Sequence, residues 1–276
     1  MMDDLERGSQ LKGYIQRETK EKGMHSNDAY TYYFCRDFLQ RLYEMNGDTF
    51  VLKGSMSQFV NLNTLVRPIT DIDMVTADSM QQANDIILAL TSEKDKVQYS
   101  LQNKFVTTNA TINYGLICKF DNIQHKISLD LRKQKVSTRE KKEMPVYFSK
   151  DQPFDSNVVS VEEHLANKIY MSVLNLQLNQ KLGKEFNRLK DFYDITKILS
   201  LTDINEELVS DLLALRIKTD GFLQDYELDG NLFSKNFANE NRELWNMTGQ
   251  KLGFDESVTF EEAIDSTRDI ISRTRR

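Results

Sequence analysis

The sequence predicts an α+β fold, in which a mixed sheet with flanking helices is followed by a helical C-terminal lobe. Between about residues 104 and 132 apolar residues alternate with a period of two, which is typical of strands. Beyond residue 158 they recur at helical spacing. Pro153 and the turn Asp155-Ser156-Asn157 lie between the two patterns. We therefore expect an α/β lobe with N-terminal helices at 1–150 and a helical lobe at 151–276.

Composition indicates a soluble globular protein. The 276 residues are 28% charged and 39% hydrophobic, and the net charge of −6 argues against a protein that coats nucleic acid with a general basic surface. No apolar run is long enough to span a membrane and the start lacks a signal pattern, so we expect a cytoplasmic protein without a membrane partner. Cys35 and Cys118 are expected to be reduced thiols.

Helices are predicted on both sides of a first short strand. Residues 1–24 are polar and indicate a loosely docked helix. The next helix carries Phe34, Phe38 and Leu42 on one side and should end near Asn46. A further helix is expected over 79–93, where isoleucine and leucine supply the apolar face.

A Gly-Ser turn follows the first strand and begins another helical run. The strand leads into Lys53, and Gly54 and Ser55 come directly after it. Backbone N–H groups at a helix N-terminus bind anions such as phosphate, and a serine hydroxyl adds a further donor. Gly54 and Ser55 are therefore candidate phosphate ligands, with Lys53 beside them.

Two carboxylates follow on the next predicted strand. Asp71 and Asp73 lie at i and i+2, so they point to the same face, while Ile72 and Met74 point into the core. Carboxylate oxygens are the ligands that Mg²⁺ prefers, and this ion shares its coordination with substrate phosphates. An isolated pair of this kind is as often an ordinary surface feature. The Gly-Ser turn before it favours the metal site.

A third acid lies on a predicted antiparallel hairpin around the turn Asp121-Asn122. Residues 127, 129 and 131 are apolar and face the core, so Asp130 and Lys126 share the other face. Together with Asp71 and Asp73, Asp130 forms a set of three carboxylates that is suited to a two-metal Mg²⁺ site for transfer to or from a phosphate.

A basic run and a helical motif complete the candidate residues. Residues 132–142 are rich in lysine and arginine, which indicates either a solvated mobile loop or an arm that contacts phosphate or RNA. After a break near Gly183, a helix over about 185–199 places Lys190, Asp191 and Asp194 on neighbouring positions of one face. Taken alone, these residues would be interpreted as a surface ion pair that contributes little.

Several segments resemble motifs of a known family. Val51-Leu52-Lys53-Gly54-Ser55, followed by Thr70-Asp71-Ile72-Asp73-Met74, resembles the first motif of the DNA polymerase β-like nucleotidyltransferase superfamily. Lys126-Ile127-Ser128-Leu129-Asp130-Leu131 resembles the second. The gap between Ser55 and Asp71 is longer than in the shortest form of the motif, which leaves the geometry of the loop at Arg67 open.

The helical half narrows the resemblance to the AbiEii/AbiGii toxin family. Arg188-Leu189-Lys190-Asp191-Phe192-Tyr193-Asp194-Ile195 resembles its Lys-Asp-x-x-Asp helix, and Val161-Glu162-Glu163-His164-Leu165-Ala166-Asn167-Lys168 is similar to its helix that ends in a lysine. The resemblance spans roughly residues 48–200.

The resemblance implies a nucleotidyltransferase that is the toxin of a toxin–antitoxin or phage-abortive-infection pair. Such an enzyme would use Mg²⁺ to move a nucleoside monophosphate from an NTP to an acceptor, with the 3′ end of tRNA expected, and would thereby block translation. The implied partner is a winged-helix antitoxin that is encoded nearby.

The resemblance also implies roles for the candidate residues. Asp71, Asp73 and Asp130 would bind metal and catalyse, Lys190 would contact the NTP phosphates, and Asp191 would be a possible base for the acceptor hydroxyl. The implied nucleotide-binding residues are Lys53, Gly54, Ser55, Lys126, Lys190 and Asp194. Two alternatives stay open: transfer to a hydroxyl of a protein or small molecule, and a non-catalytic nucleotide-binding module.

Overall fold

A computed structural model describes residues 5–108, 110–182, 188–220, 233 and 235–274. The chain divides into two compact units, of which the first ends at Val159 and the second begins at Ser160. The break predicted at Gly183 lies outside the described residues. The first unit contains a mixed seven-stranded sheet, and helices make up the second, so the predicted α+β class is confirmed.

Four helices belong to the described part of the first unit: α1 (Gly8–Lys22), α2 (Ser26–Asn46), α3 (Gly54–Leu62) and α4 (Met80–Leu90). The predicted end of α2 at Asn46 is confirmed.

The prediction that the N-terminal helix is loosely docked is wrong. Leu11, Tyr14, Ile15 and Glu18 are all buried on one side of α1. The backbone N–H of Ser149 donates a hydrogen bond to the Glu18 carboxylate at 3.1 Å. The segment is polar in overall composition, but its buried residues form a narrow row at helical spacing. This row is enough to dock the helix.

The strands of the sheet are β1 (Val51–Lys53), β2 (Ile72–Thr76), β3 (Val97–Thr108), β4 (Thr111–Phe120), β5 (Ile123–Lys133), β6 (Glu140–Glu143) and β7 (Asp155–Val158). Their order is β3-β4-β5-β2-β1-β7-β6. The predicted hairpin around Asp121-Asn122 is confirmed as the antiparallel pair β4–β5, and β3 extends it to a three-stranded meander. The pairs β2–β5 and β1–β7 are parallel.

One face of the sheet packs into the core of the first unit. Ile72, Leu129 and Leu131 are each 0% exposed and belong to one hydrophobic cluster with the aromatic side of α2. Cys35 and Cys118 are buried free thiols, in agreement with the predicted reduced state. Since side chains alternate along a strand, the residues between these apolar positions lie on the opposite face.

The basic run is partly built into the sheet. Residues 140–143 form the edge strand β6, so the interpretation as a mobile loop is wrong for this part of the run. Lys141 lies 2.7 Å from the carboxylate of Asp155. Lys142 donates to the side-chain oxygen of Asn61 at 2.8 Å. The strand, the ion pair and the hydrogen bond attach these lysines to the first unit.

The described helices of the second unit are α5 (Val161–Leu182), α6 (Leu189–Leu201), α7 (Glu206–Asp220), α8 (Lys235–Leu252) and α9 (Phe260–Thr274). The hydroxyl of Ser160 accepts from the Glu163 N–H at 3.2 Å, as a helix cap does. Thr259 and Glu262 form a reciprocal capping box. Among the described residues, no helix is both long and apolar enough to cross a membrane.

Candidate active site

A row of polar side chains crosses the centre of the sheet. Lys53 on β1 is the register partner of Asp73 on β2, and Asp73 is the partner of Asp130 on β5. Asp130 in turn lies opposite Asn113 on β4. Residues in register on adjacent strands point to the same face and are about 5 Å apart. Two of the three predicted metal-binding acids are therefore direct neighbours, although they are far apart in sequence.

Asp71 lies just before the first residue of β2. Its carboxylate accepts a hydrogen bond from the Thr70 hydroxyl at 3.0 Å. In the part of the chain that the structure describes, no group of three or more His, Cys, Asp or Glu residues is arranged to hold a metal ion. The sheet thus brings Asp73 and Asp130 together, and Asp71 stays a predicted ligand.

Gly54 packs directly against the Asp73 carboxylate. A Cβ atom at position 54 would overlap the Asp73 side chain, and the backbone φ of 61° lies in the left-handed region. Only glycine meets both conditions without strain. The Gly-Ser turn that the sequence assigned to phosphate binding is therefore in contact with the acid row.

Ser55 and Lys53 flank this turn. Ser55 is 6% exposed, and its hydroxyl has no hydrogen-bond partner among the described residues. A buried polar group without a partner is costly, and a ligand can supply the missing bond. The Lys53 ammonium donates to the side-chain oxygen of Gln134 at 3.1 Å. The hydroxyl and the N-terminus of α3 suit a phosphate at this end of the row.

Asn113 is a site residue that the sequence analysis did not single out. Its side-chain nitrogen donates to a carboxylate oxygen of Asp130 at 2.5 Å. This contact orients the Asp130 carboxylate without adding charge. The predicted turn could have identified Asn113, because a two-residue turn at Asp121-Asn122 places residue 113 opposite residue 130.

A cavity of about 510 Å³ lies beside the start of β2, within the size range of small-molecule sites. The side chain of His125 in its wall is bonded to the Thr31 hydroxyl at 2.9 Å and stacks on Phe34. Burial lowers the pKa of His125. The exposed Lys126 lies in the same wall. The lining residues are Asn27, Asp28, Thr31, Ile69, Thr70, Gln124, His125 and Lys126.

The acids of the second unit are buried in an ion cluster. Asp191 is 1% exposed and Asp194 is 0% exposed. The ammonium of Lys168 on α5 lies 3.2 Å from the Asp191 carboxylate and 2.6 Å from that of Asp194. The Arg188 guanidinium lies 2.7 Å from Asp191. The interpretation as a surface pair is therefore wrong.

Lys190 is half-buried on the same helix, α6. Its role as a phosphate ligand, and the roles of Asp191 and Asp194 in the chemistry, stay predictions. Lys168 is a cluster member that the sequence analysis placed in a family helix without assigning it a role.

Two solved structures were found to be similar to this chain. MenT4, a nucleotidyltransferase toxin from Mycobacterium tuberculosis H37Rv, is 16% identical with a TM-score of 0.66, and the match covers 94% of this chain and 88% of that one. JHP933 from Helicobacter pylori is 15% identical with a TM-score of 0.44 over 87% of this chain and 90% of that one. No curated protein matches in sequence. The likeness to MenT4 supports the fold.

The family follows from the sequence profile. The family described as "Nucleotidyl transferase AbiEii toxin, Type IV TA system" matches residues 37–266, which is most of the chain. The matched span contains the Gly-Ser turn, the acid row and the Lys-Asp-x-x-Asp helix. The protein belongs to the AbiEii family and is a nucleotidyltransferase toxin of a type IV toxin–antitoxin system.

Proposed function

We propose that this nucleotidyltransferase moves a nucleoside monophosphate from an NTP to the 3′ end of tRNA in a Mg²⁺-dependent reaction and thereby stops translation. The observation that carries the proposal is the in-register pair Asp73 and Asp130, with Gly54 packed against the Asp73 carboxylate. The resemblance of these segments to nucleotidyltransferase motifs supports the choice of reaction.

The residues of the row fit a divalent cation. Asp73 and Asp130 offer carboxylate oxygens from adjacent strands, and both residues are partly exposed. Asn113 holds one oxygen of Asp130 and leaves its other oxygen for a ligand. Bound to these carboxylates, Mg²⁺ would neutralise the charge that builds up on the triphosphate during transfer.

The remaining residues position the reacting groups. The hydroxyl of Ser55 and the N-terminal amides of α3 bind phosphate oxygens of the NTP. The acceptor hydroxyl attacks the α-phosphorus, a new P–O bond forms there, and the bond to the leaving pyrophosphate breaks. Asp130 accepts the proton of the acceptor hydroxyl as general base.

In the cell, the proposal assigns the chain to defence against phage. The toxin is silent while its antitoxin is present, and we propose a winged-helix protein encoded nearby as that antitoxin. When the antitoxin is lost in an infected cell, the toxin stops translation. Growth arrest that is relieved by the product of the neighbouring gene is the expected behaviour in a co-expression assay.

Labelled NTPs test the proposal. Each of the four NTPs, labelled at the α-phosphate, is incubated with total tRNA or with tRNA-free protein extract. Label is expected in tRNA, and both removal of Mg²⁺ with EDTA and Asp71→Ala are expected to abolish it. Label in protein alone, or growth arrest that survives Asp71→Ala, contradicts the proposal.

A further inference from the structure

The row of acids continues onto the edge strand β3. Phe105 is the register partner of Asn113, which lies opposite Asp130. Phe105 therefore points to the same face of the sheet as the acids, and its backbone is two strand spacings, roughly 10 Å, from that of Asp130. The ring is 60% exposed. An exposed aromatic ring is thus aligned with the proposed catalytic carboxylates.

The surrounding face is polar and locally basic. We call the side of β3, β4 and β5 that carries Asp130 the outer face of the meander. Lys126 and Arg132 share this face because they are even numbers of residues from Asp130 on β5, and Lys119 lies opposite Gln124 of that set. All three cations are exposed. Among the described residues of these strands, Asp130 is the sole acid on this face.

We propose that the outer face of the meander binds the single-stranded end of a nucleic acid acceptor, with Phe105 stacked on a base and Lys119 and Arg132 on phosphates. The inference rests on the proposed function for the identity of the bound strand as acceptor. Cations and an exposed ring on an open sheet are the features by which sheets bind single strands. The concentration of positive charge on this face, in a chain with a net charge of −6, favours a polyanion such as a nucleic acid strand as the occupant.

Side-chain amides add base recognition to the stacking. Asn113 lies between Phe105 and Asp130, and Asn103 lies opposite Gly115 on the same face. A Cβ at Gly115 would overlap the Asn103 side chain, so this glycine provides room for the amide. Asparagine amides bond to the edges of unpaired bases. The outer face therefore offers stacking, phosphate contacts and amide donors along one open surface.

The neighbouring valine supplies a matched control. Val106 is 63% exposed and pairs with Ile112, so its side chain lies on the opposite face of β3. Phe105→Ala and Val106→Ala each remove an exposed apolar side chain from adjacent residues of one strand. If the two variants differ in RNA affinity, the difference reflects the face of the sheet from which the side chain was removed. It does not reflect the loss of apolar surface as such.

Fluorescence anisotropy with a labelled short single-stranded RNA, without NTP or Mg²⁺, tests the surface. Phe105→Ala is expected to raise Kd roughly 5- to 150-fold, which corresponds to the loss of one base stack. Val106→Ala should leave Kd unchanged. The double variant Lys119→Gln/Arg132→Gln should reduce the slope of log K against log salt by roughly 1.4, because each phosphate contact contributes about 0.7. Equal Kd values for Phe105→Ala and Val106→Ala overturn the inference.

Transfer kinetics separate this inference from the proposed function. Phe105→Ala is expected to raise KM for the RNA acceptor and to leave KM for the NTP unchanged. If RNA binds through Phe105 but receives no nucleotide, the proposed function fails and the binding surface stands. If RNA receives nucleotide with the same KM in Phe105→Ala, or only KM for the NTP changes, the inference fails and the proposed function stands.

Discussion

At the residue scale, the backbone at Gly54 packs against a proposed catalytic carboxylate. The sequence indicated Gly54 as part of a phosphate-binding turn, and the structure adds a second reason for glycine, since the Asp73 carboxylate occupies the space of a Cβ. Gly13 in α1 differs in this respect, because a Cβ there would meet nothing within 4 Å.

Gly54→Ala is expected to destabilise the protein by at least about 1 kcal/mol, since a left-handed conformation is costly for alanine, and to reduce nucleotide transfer by displacing Asp73. Gly13→Ala should be neutral or stabilising by up to about 1 kcal/mol. Urea unfolding and the transfer assay measure both effects. Equal stability and activity of the two variants would show that the contact with Asp73 is not required.

His125 is a second residue whose environment has a measurable consequence. Burial lowers its pKa below the ordinary value, so the unfolded chain takes up this proton at a higher pH than the folded chain does. The contribution of His125 to the free energy of unfolding is fully present above the unfolded pKa of about 6.5. The free energy of unfolding then falls as the pH falls below that value.

His125→Phe is expected to weaken this pH dependence. The variant keeps a ring to stack on Phe34 and loses the bond to Thr31, which shifts stability by a constant amount. The free energy of unfolding of the wild type should therefore fall further between about pH 7 and about pH 5 than that of the variant. If the free energy of unfolding of the two proteins changed equally with pH, His125 would not be the source of the pH dependence.

At the scale of elements, the helical unit is held by a buried ion cluster between α5 and α6. Lys168 forms ion pairs with both Asp191 and Asp194, and all three residues are at least nine-tenths buried. A buried ion pair contributes little relative to an apolar pair, but removal of one partner leaves an uncompensated charge. Lys168 is thus a structural counterion within the helices that carry the family motif.

Lys168→Met is expected to destabilise the helical unit by about 3–5 kcal/mol. Lys190→Met removes the same charge from a half-buried position of α6 and should change stability by less than about 1 kcal/mol, while nucleotide transfer is lost if Lys190 contacts phosphate. Chemical denaturation followed by circular dichroism compares the two. A Lys168→Met protein as stable as the wild type would rule out the counterion role.

The strands differ in how far they could be predicted from sequence. Local alternation and the turn at Asp121-Asn122 identify β4 and β5 and place residue 113 opposite residue 130. The edge strand β6 was missed because Glu140–Glu143 contains only charged residues, and its neighbour β7 was interpreted as the turn Asp155-Ser156-Asn157 after Pro153. Edge strands often carry charge, and this hides their alternation.

At the scale of the whole molecule, the order of the motifs indicated the family, and the profile match over residues 37–266 confirms it. What the sequence could not supply is the pairing of distant segments. The parallel register of β2 with β5, which makes Asp73 and Asp130 neighbours, depends on long-range packing and not on local pattern. The buried partner of Asp194 was missed for the same reason, since Lys168 lies on another helix.

The proposed catalytic role of the acid row in nucleotide transfer can be tested on Asp73. The most direct test is the single-turnover rate of labelled nucleotide transfer at saturating NTP and Mg²⁺ for Asp73→Asn, with Asp78→Asn as control. Asp78 is exposed just beyond the same strand. Asp73→Asn should be slower by at least about a hundredfold, because the lost charge stabilises the transition state by several kcal/mol, and Asp78→Asn should match the wild type. A wild-type rate for a folded Asp73→Asn protein would show that the Asp73 carboxylate does not take part in the transfer.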